Sequence, residues 1–241
     1  MMKRSTHLHR RMVLCLVSAL ILVFVSAIPV LAADAAPAAA KQPLIISNES
    51  IRSLNNGTGE YTMMATVENP NSEWSVYQTK YSFLAYDAAG KEVLPDGPDK
   101  HPEYTIHVIP PHAKVNVFAS NTNGRDVSTV KLQIKTINWE KLNNLLPEFS
   151  LTAVDSTFDK YSVNISGLLA SKTATSCNAW AVVTIYDKNG VMVNGRHFEL
   201  KSVGIVGKPT PFKFVVWGNG TDLYSKYSLQ IIASDVPQVG Y

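Results

Sequence analysis

Long stretches of the chain alternate apolar and polar side chains with a period of two. Tyr61, Met63, Ala65 and Val67 fall on one side and Thr62, Thr66 and Glu68 on the other; Met64 breaks the rule. One hundred positions later, Tyr161, Val163, Ile165 and Gly167 alternate with Ser162, Asn164 and Ser166. Successive side chains of a strand point to opposite faces, so this period predicts half-buried strands.

The same grammar recurs in the next element. Residues 81–93 read YSFLAYDAAGKEV and residues 181–193 read AVVTIYDKNGVMV. Tyr81, Phe83 and Ala85 correspond to Ala181, Val183 and Ile185 as core positions. Asp87 to Gly90 and Asp187 to Gly190 then predict one kind of hairpin turn. Asp at the first position bonds the backbone ahead of it, and Gly at the fourth takes a left-handed conformation. Later runs also pair: Val115 and Val117 with Phe212, Phe214 and Val216, then Val130, Leu132 and Ile134 with Tyr227, Leu229 and Ile231. Opening strands are expected at Leu44–Ser47 and Phe149–Val154, and middle strands near Tyr104–Val108 and Phe198–Val203. A helix is expected only over INWEKLNNLL, residues 137–146, which stops before Pro147.

About seven short strands per copy, separated by turn signals, predict an all-β chain of two immunoglobulin-like β-sandwiches in tandem. The first is expected over 44–138 and the second over 148–241. A short connector, 139–147, is apolar enough to imply halves packed on each other rather than a loose hinge.

The first residues change the setting. MMKRSTHLHRR carries four of the 22 basic residues and no acid, and an uncharged apolar run follows it. Pro29 and the small residues of VLAADAA then supply a cleavage region, so 1–32 reads as a secretory signal peptide and 33–43 as an Ala/Pro linker. An uncleaved anchor is the alternative, because about 20 apolar residues just span a bilayer. Without the leader, 18 basic groups face 19 acidic ones, so the net charge of +3 belongs to the leader and implies no nucleic-acid partner. With Cys15 in the leader, Cys177 is the only other cysteine, which excludes an intramolecular disulfide and a thiolate metal cluster.

Candidate chemistry is sparse. Cys177 is a nucleophile only if a base such as His197 lies beside it. The loop DGPDKHPEY places Asp96, Asp99, His101 and Glu103 close together, with His107 and His112 beyond. That is oxygen and nitrogen enough for a cation, in a pattern that reads first as a solvated loop. Trp74 and Trp217 lie near loops and are the candidates for an exposed recognition surface, whereas Trp180 is expected in core or edge packing. No phosphate-binding glycine loop, GxSxG elbow or HExxH helix occurs, so no catalytic, metal or cofactor residue is assigned.

The phrases FLAYDAAGKEV and VTIYDKNGVMV resemble the FxLYD type of bacterial domain. Phe83, Tyr86 and Asp87 match its Phe-x-Leu-Tyr-Asp pattern in the first copy, with Ala85 in place of Leu. Tyr186 and Asp187 match in the second, with Val183 for Phe and Ile185 for Leu. The resemblance implies an exported β-sandwich, with no catalytic residue to carry over. The expectation is therefore a secreted or cell-surface, non-enzymatic protein that binds a protein or cell-wall glycan partner, or spaces other parts, and touches the membrane only through its leader if that is not cleaved. A secreted proteinase inhibitor offering HVIPPHAK or GKPTPF as bait is the second reading, and an unrecognised enzyme the third.

Overall fold

The computed structural model describes residues 40–53, 60–94, 102–121, 127–141, 147–173, 176–218 and 224–234. The leader, the linker as far as residue 39, Asp96, Asp99, His101 and residues 142–146 lie outside these. Among the described residues there are thirteen strands and no helix. The first seven are β1 (Ile45–Ser53), β2 (Tyr61–Glu68), β3 (Ser75–Tyr86), β4 (Glu92–Val93), β5 (Tyr104–Ile109), β6 (Lys114–Asn121) and β7 (Thr129–Glu140). Six more follow: β8 (Phe149–Phe158), β9 (Ser162–Ser171), β10 (Cys177–Tyr186), β11 (Met192–Val203), β12 (Thr210–Trp217) and β13 (Lys226–Ala233).

The strand order is written twice. One sheet runs β1-β2-β6 and its counterpart β8-β9-β12, all antiparallel. In the other pair, β3 lies between β7 on one side and β4 and β5 on the other, and β10 lies between β13 and β11. The single long β11 thus does the work of β4 and β5. Each half buries its own apolar cluster between its two sheets, one around Val67, Tyr81, Phe83 and Val117, the other around Ile165, Val183, Ile185 and Phe214.

The two hairpin turns agree closely. Asp87 Oδ1 accepts from the amides of Ala89 at 2.9 Å and Lys91 at 2.8 Å; Asp187 Oδ1 accepts from Asn189 at 2.9 Å and Val191 at 2.8 Å. Gly90 and Gly190 both have φ +79°, a region that side chains with a Cβ avoid. The Tyr-Asp-x-x-Gly phrase therefore specifies a turn.

Two expectations fail at strand ends. Ile137–Glu140 is strand, the end of β7, its Asn138, Trp139 and Glu140 pairing with Tyr77, Val76 and Ser75 of β3, so this part of the expected helix is not helical. Ile137 and Trp139 alternate with Asn138 and Glu140, and a ready partner strand wins over a weak helical pattern. Tyr161, expected on the core face, precedes β9 and is 56% exposed. Asp159 Oδ1 takes the amides of Tyr161 and Ser162 at 2.7 and 2.6 Å, an Asx turn that aims Tyr161 outward before the strand begins.

Comparing β2 with β9 explains the break at Met64. In β9 the outward positions Asn164 and Ser166 are half-buried and exposed, while in β2 the outward Thr62, Met64 and Thr66 are all buried. The cover comes from the second half. Met64 joins Phe118, Val182 and Met192 in one apolar cluster, so the outer face of β1-β2-β6 rests on the outer face of β11-β10-β13. Polar bonds cross the same junction. Asn116 Nδ2 donates to Thr184 Oγ1 at 2.9 Å, His197 Nε2 to Asn116 O at 3.1 Å and Gln230 Nε2 to Lys114 O at 2.8 Å. Burying a methionine side chain is worth about 2 kcal/mol, enough to displace the polar residue that the alternation calls for.

Candidate functional site

Where the halves meet, a groove of about 810 Å³ opens along three sheet edges. One wall is β5 with Tyr104, Thr105 and His107, and the floor is Phe118 to Ser120 of β6. The opposite wall is Asn194 to His197 of β11, and Trp217 at the end of β12 forms a rim. Trp217 is 65% exposed, a large indole left in solvent.

Close approach at the floor depends on Gly195. A Cβ there would stand 2.1 Å from Phe118 Cζ, so the Phe118 ring lies flush against the β11 backbone. Asn194 fixes the strand beside it: its Nδ2 donates to Trp217 O at 2.8 Å and to Tyr224 OH at 3.0 Å. The base of the rim tryptophan is thereby tied to β11.

An aromatic stack lines the closed end. The His107 ring lies on Trp180 at 4.7 Å between centroids and 21° between planes, and His197 meets the Trp180 edge at 6.2 Å. Gln78 Nε2 donates to His107 Nδ1 at 3.3 Å. Because a carbonyl only accepts, the bond to Asn116 O places the His197 proton on Nε2. Burial holds the His197 pKa below the ordinary imidazole value; the bond to Asn116 opposes that, and nearby His107 adds to it. A depressed folded pKa means that the unfolded chain takes the proton first as pH falls. This contribution to stability is therefore complete above about pH 6.5 and is lost as pH drops below it. The melting temperature should fall between pH 7 and pH 5 more steeply in the wild type than in His197→Gln, which keeps a donor for Asn116 O. Parallel pH profiles would remove His197 from the junction's acid sensitivity.

The sequence candidates separate clearly. Glu103 is exposed, and His112 is exposed in the β5–β6 turn with φ +56°. His107 instead lies in the groove, and no cluster of three or more metal-ligating side chains occurs among the described residues. Cys177 pairs with Val203 and His197 with Val182, five residues apart along the strand, roughly 16 Å. They make no nucleophile–base pair. Trp74 has both lysine ammoniums of Lys41 and Lys141 over its ring, at 4.1 and 5.0 Å, which occupies the indole as a stacking surface. Trp180 takes the edge-packing option of its two expected places. Ala179, Ala181 and Val183 face the core of the second half, so Trp180 points the other way, into the junction. Of the bait loops, IPPH is tied to its own half through His112 N to Asn71 O at 3.2 Å, and GKPTP through Gly204 N to Thr210 Oγ1 at 2.8 Å.

Sequence reading missed Gly195, Phe118, Arg196 and Tyr104. A glycine inside an otherwise regular strand signals close backbone approach, and Gly195 in VNGRHF carried that signal. The chain matches no known family model and no curated protein.

Proposed function

We propose that the chain is an exported, non-enzymatic binding protein: two immunoglobulin-like sandwiches of the FxLYD type that take a macromolecular partner of the cell envelope in the groove between them. The observation that carries this reading is the groove itself, lined by both halves and rimmed by an indole 65% exposed. Recognition sites favour such places, where rigid elements converge and an amphipathic ring is left unsatisfied. The basic start and apolar run of the leader support export. Engagement of both groove histidines supports binding over catalysis: His197 donates to a backbone carbonyl, and His107 accepts from Gln78 and is stacked on Trp180.

A photoreactive benzoylphenylalanine placed at Ser120, on the groove floor, should give adducts when the mature protein is mixed with envelope material. The same group at exposed Lys131, on β7 and away from the groove, should give none. Equal labelling from both positions would sink the reading.

A further inference from the structure

The chemistry of the groove narrows the partner, on the footing that the groove is the binding site. We propose that it binds an oligosaccharide of equatorially substituted pyranoses, stacked on Trp217 and hydrogen-bonded by Arg196.

Strand addition by a peptide is disfavoured at β6. Ala113 O accepts from Asn69 N of the neighbouring segment, so residues 114, 116 and 118 present their carbonyls to the open edge. Each is already capped by a side chain: Lys114 O by Gln230 at 2.8 Å, Asn116 O by His197 at 3.1 Å and Phe118 O by the Tyr81 hydroxyl at 3.2 Å. A peptide added here would find these three carbonyls already engaged, which takes three acceptors out of the ladder it could form.

Nor is there a deep socket for a large anchoring side chain: the apolar cavity behind His107 and Trp180 measures about 20 Å³, room for about one water. What the groove offers instead is open, shallow and mixed. Its 810 Å³ falls among ordinary ligand sites, roughly 300–1,000 Å³, and Thr105 and Ser120 are among its lining, the Thr105 hydroxyl accepting from Lys80 Nζ at 2.8 Å.

A pyranose with equatorial substituents has a flat C–H face and a rim of hydroxyls. The exposed Trp217 ring suits the first and the groove's polar side chains suit the second. Arg196 adds a rigid fork of donors. Its guanidinium lies 5.7 Å from the Phe198 ring and has no carboxylate partner among the described residues.

The test is calorimetric titration of the mature protein with chitohexaose and cellohexaose, with maltohexaose as the axially linked control. At least one of the first two should bind more tightly than maltohexaose. Trp217→Ala should weaken that binding about tenfold or more, Trp217→Tyr should retain most of it, and Arg196→Gln should weaken it. Because both side chains are exposed, unchanged melting temperatures separate lost binding from lost folding. No binding of either hexasaccharide, binding no tighter than that of maltohexaose, or binding unaffected by Trp217→Ala overturns the proposal. Groove-specific photo-adducts without sugar binding would overturn the sugar while leaving the groove as the site; absence of both would remove the two together.

Discussion

Replacing Gly195 with alanine lowers the melting temperature by about 6–12 °C, the shift expected of about 3 kcal/mol in a chain of this size. The added methyl would meet Phe118 Cζ at 2.1 Å, Cε1 at 2.3 Å and Cε2 at 2.7 Å. Carbon atoms pack at about 3.5 Å, so ring or strand must give by roughly 1.4 Å. Neither moves freely. Phe118 is 6% exposed and packs against His197 at 5.4 Å, and β11 is held to β10 along nine paired positions. Phe118→Leu frees space on the other side of the contact. Placed in the Gly195→Ala background, it should recover part of the lost stability, although alone it costs some. The double-mutant cycle then shows a coupling energy of at least about 1 kcal/mol. Additive losses would mean that the two residues do not meet as described.

Asn69→Ala is the second large effect, about 3 kcal/mol, and Asn69→Asp is worse. Asn69 is fully buried. Its Nδ2 donates to Trp74 O at 2.6 Å, Ile109 O at 3.1 Å and Pro110 O at 3.2 Å, while its Oδ1 accepts from Asn71 N at 3.1 Å and Asn71 Nδ2 at 3.0 Å. Asn71 carries the network on to Gln42, accepting from its amide at 2.7 Å and donating to its carbonyl at 2.9 Å. One amide thus joins the start of the first half to the β2–β3 and β5–β6 connections. Alanine withdraws these bonds from buried backbone groups, although Pro110 O keeps its bond from Ala113 N at 3.2 Å, and a buried polar group that loses its partner costs more than a bond gains on average. Aspartate keeps the acceptor but sets a charged oxygen against three carbonyl oxygens. The measurement is the melting temperature at pH 7, and an aspartate variant more stable than the alanine one would refute the orientation of this amide.

Much of the fold was legible because strand and turn signals are local. The alternation around Val163 and Ile165 and the Tyr-Asp-x-x-Gly phrases each specify structure within a dozen residues, and both are found in place. The junction was not legible as such, because its signals look like errors in a local pattern. Met64 spoiled an alternation, Gly195 weakened a strand, and Trp180 stood at an even position between Ala179 and Ala181. Each makes sense only once a second sheet covers that face. The groove is less legible still. Its walls come from β5, β6, β11 and the end of β12, sites up to 113 positions apart between Tyr104 and Trp217, and only non-local packing brings them together. Trp217 was recognisable because it combined a large ring with a neighbouring turn. Its companion Trp74 had the same sequence credentials, and the two lysines that occupy it left no mark nearby in the pattern.

The capped edge of β6 has a consequence for how the chain is made. Gln230 and His197 are synthesised long after the carbonyls they cover, as are Val182 and Met192, which shield Met64 and Phe118. While the first half is complete and the second is still emerging, it carries a bare strand edge beside an uncovered apolar face, the combination that recruits other chains. Docking of the later half covers the edge and the face together, and a chain halted after Glu140 would lack that cover.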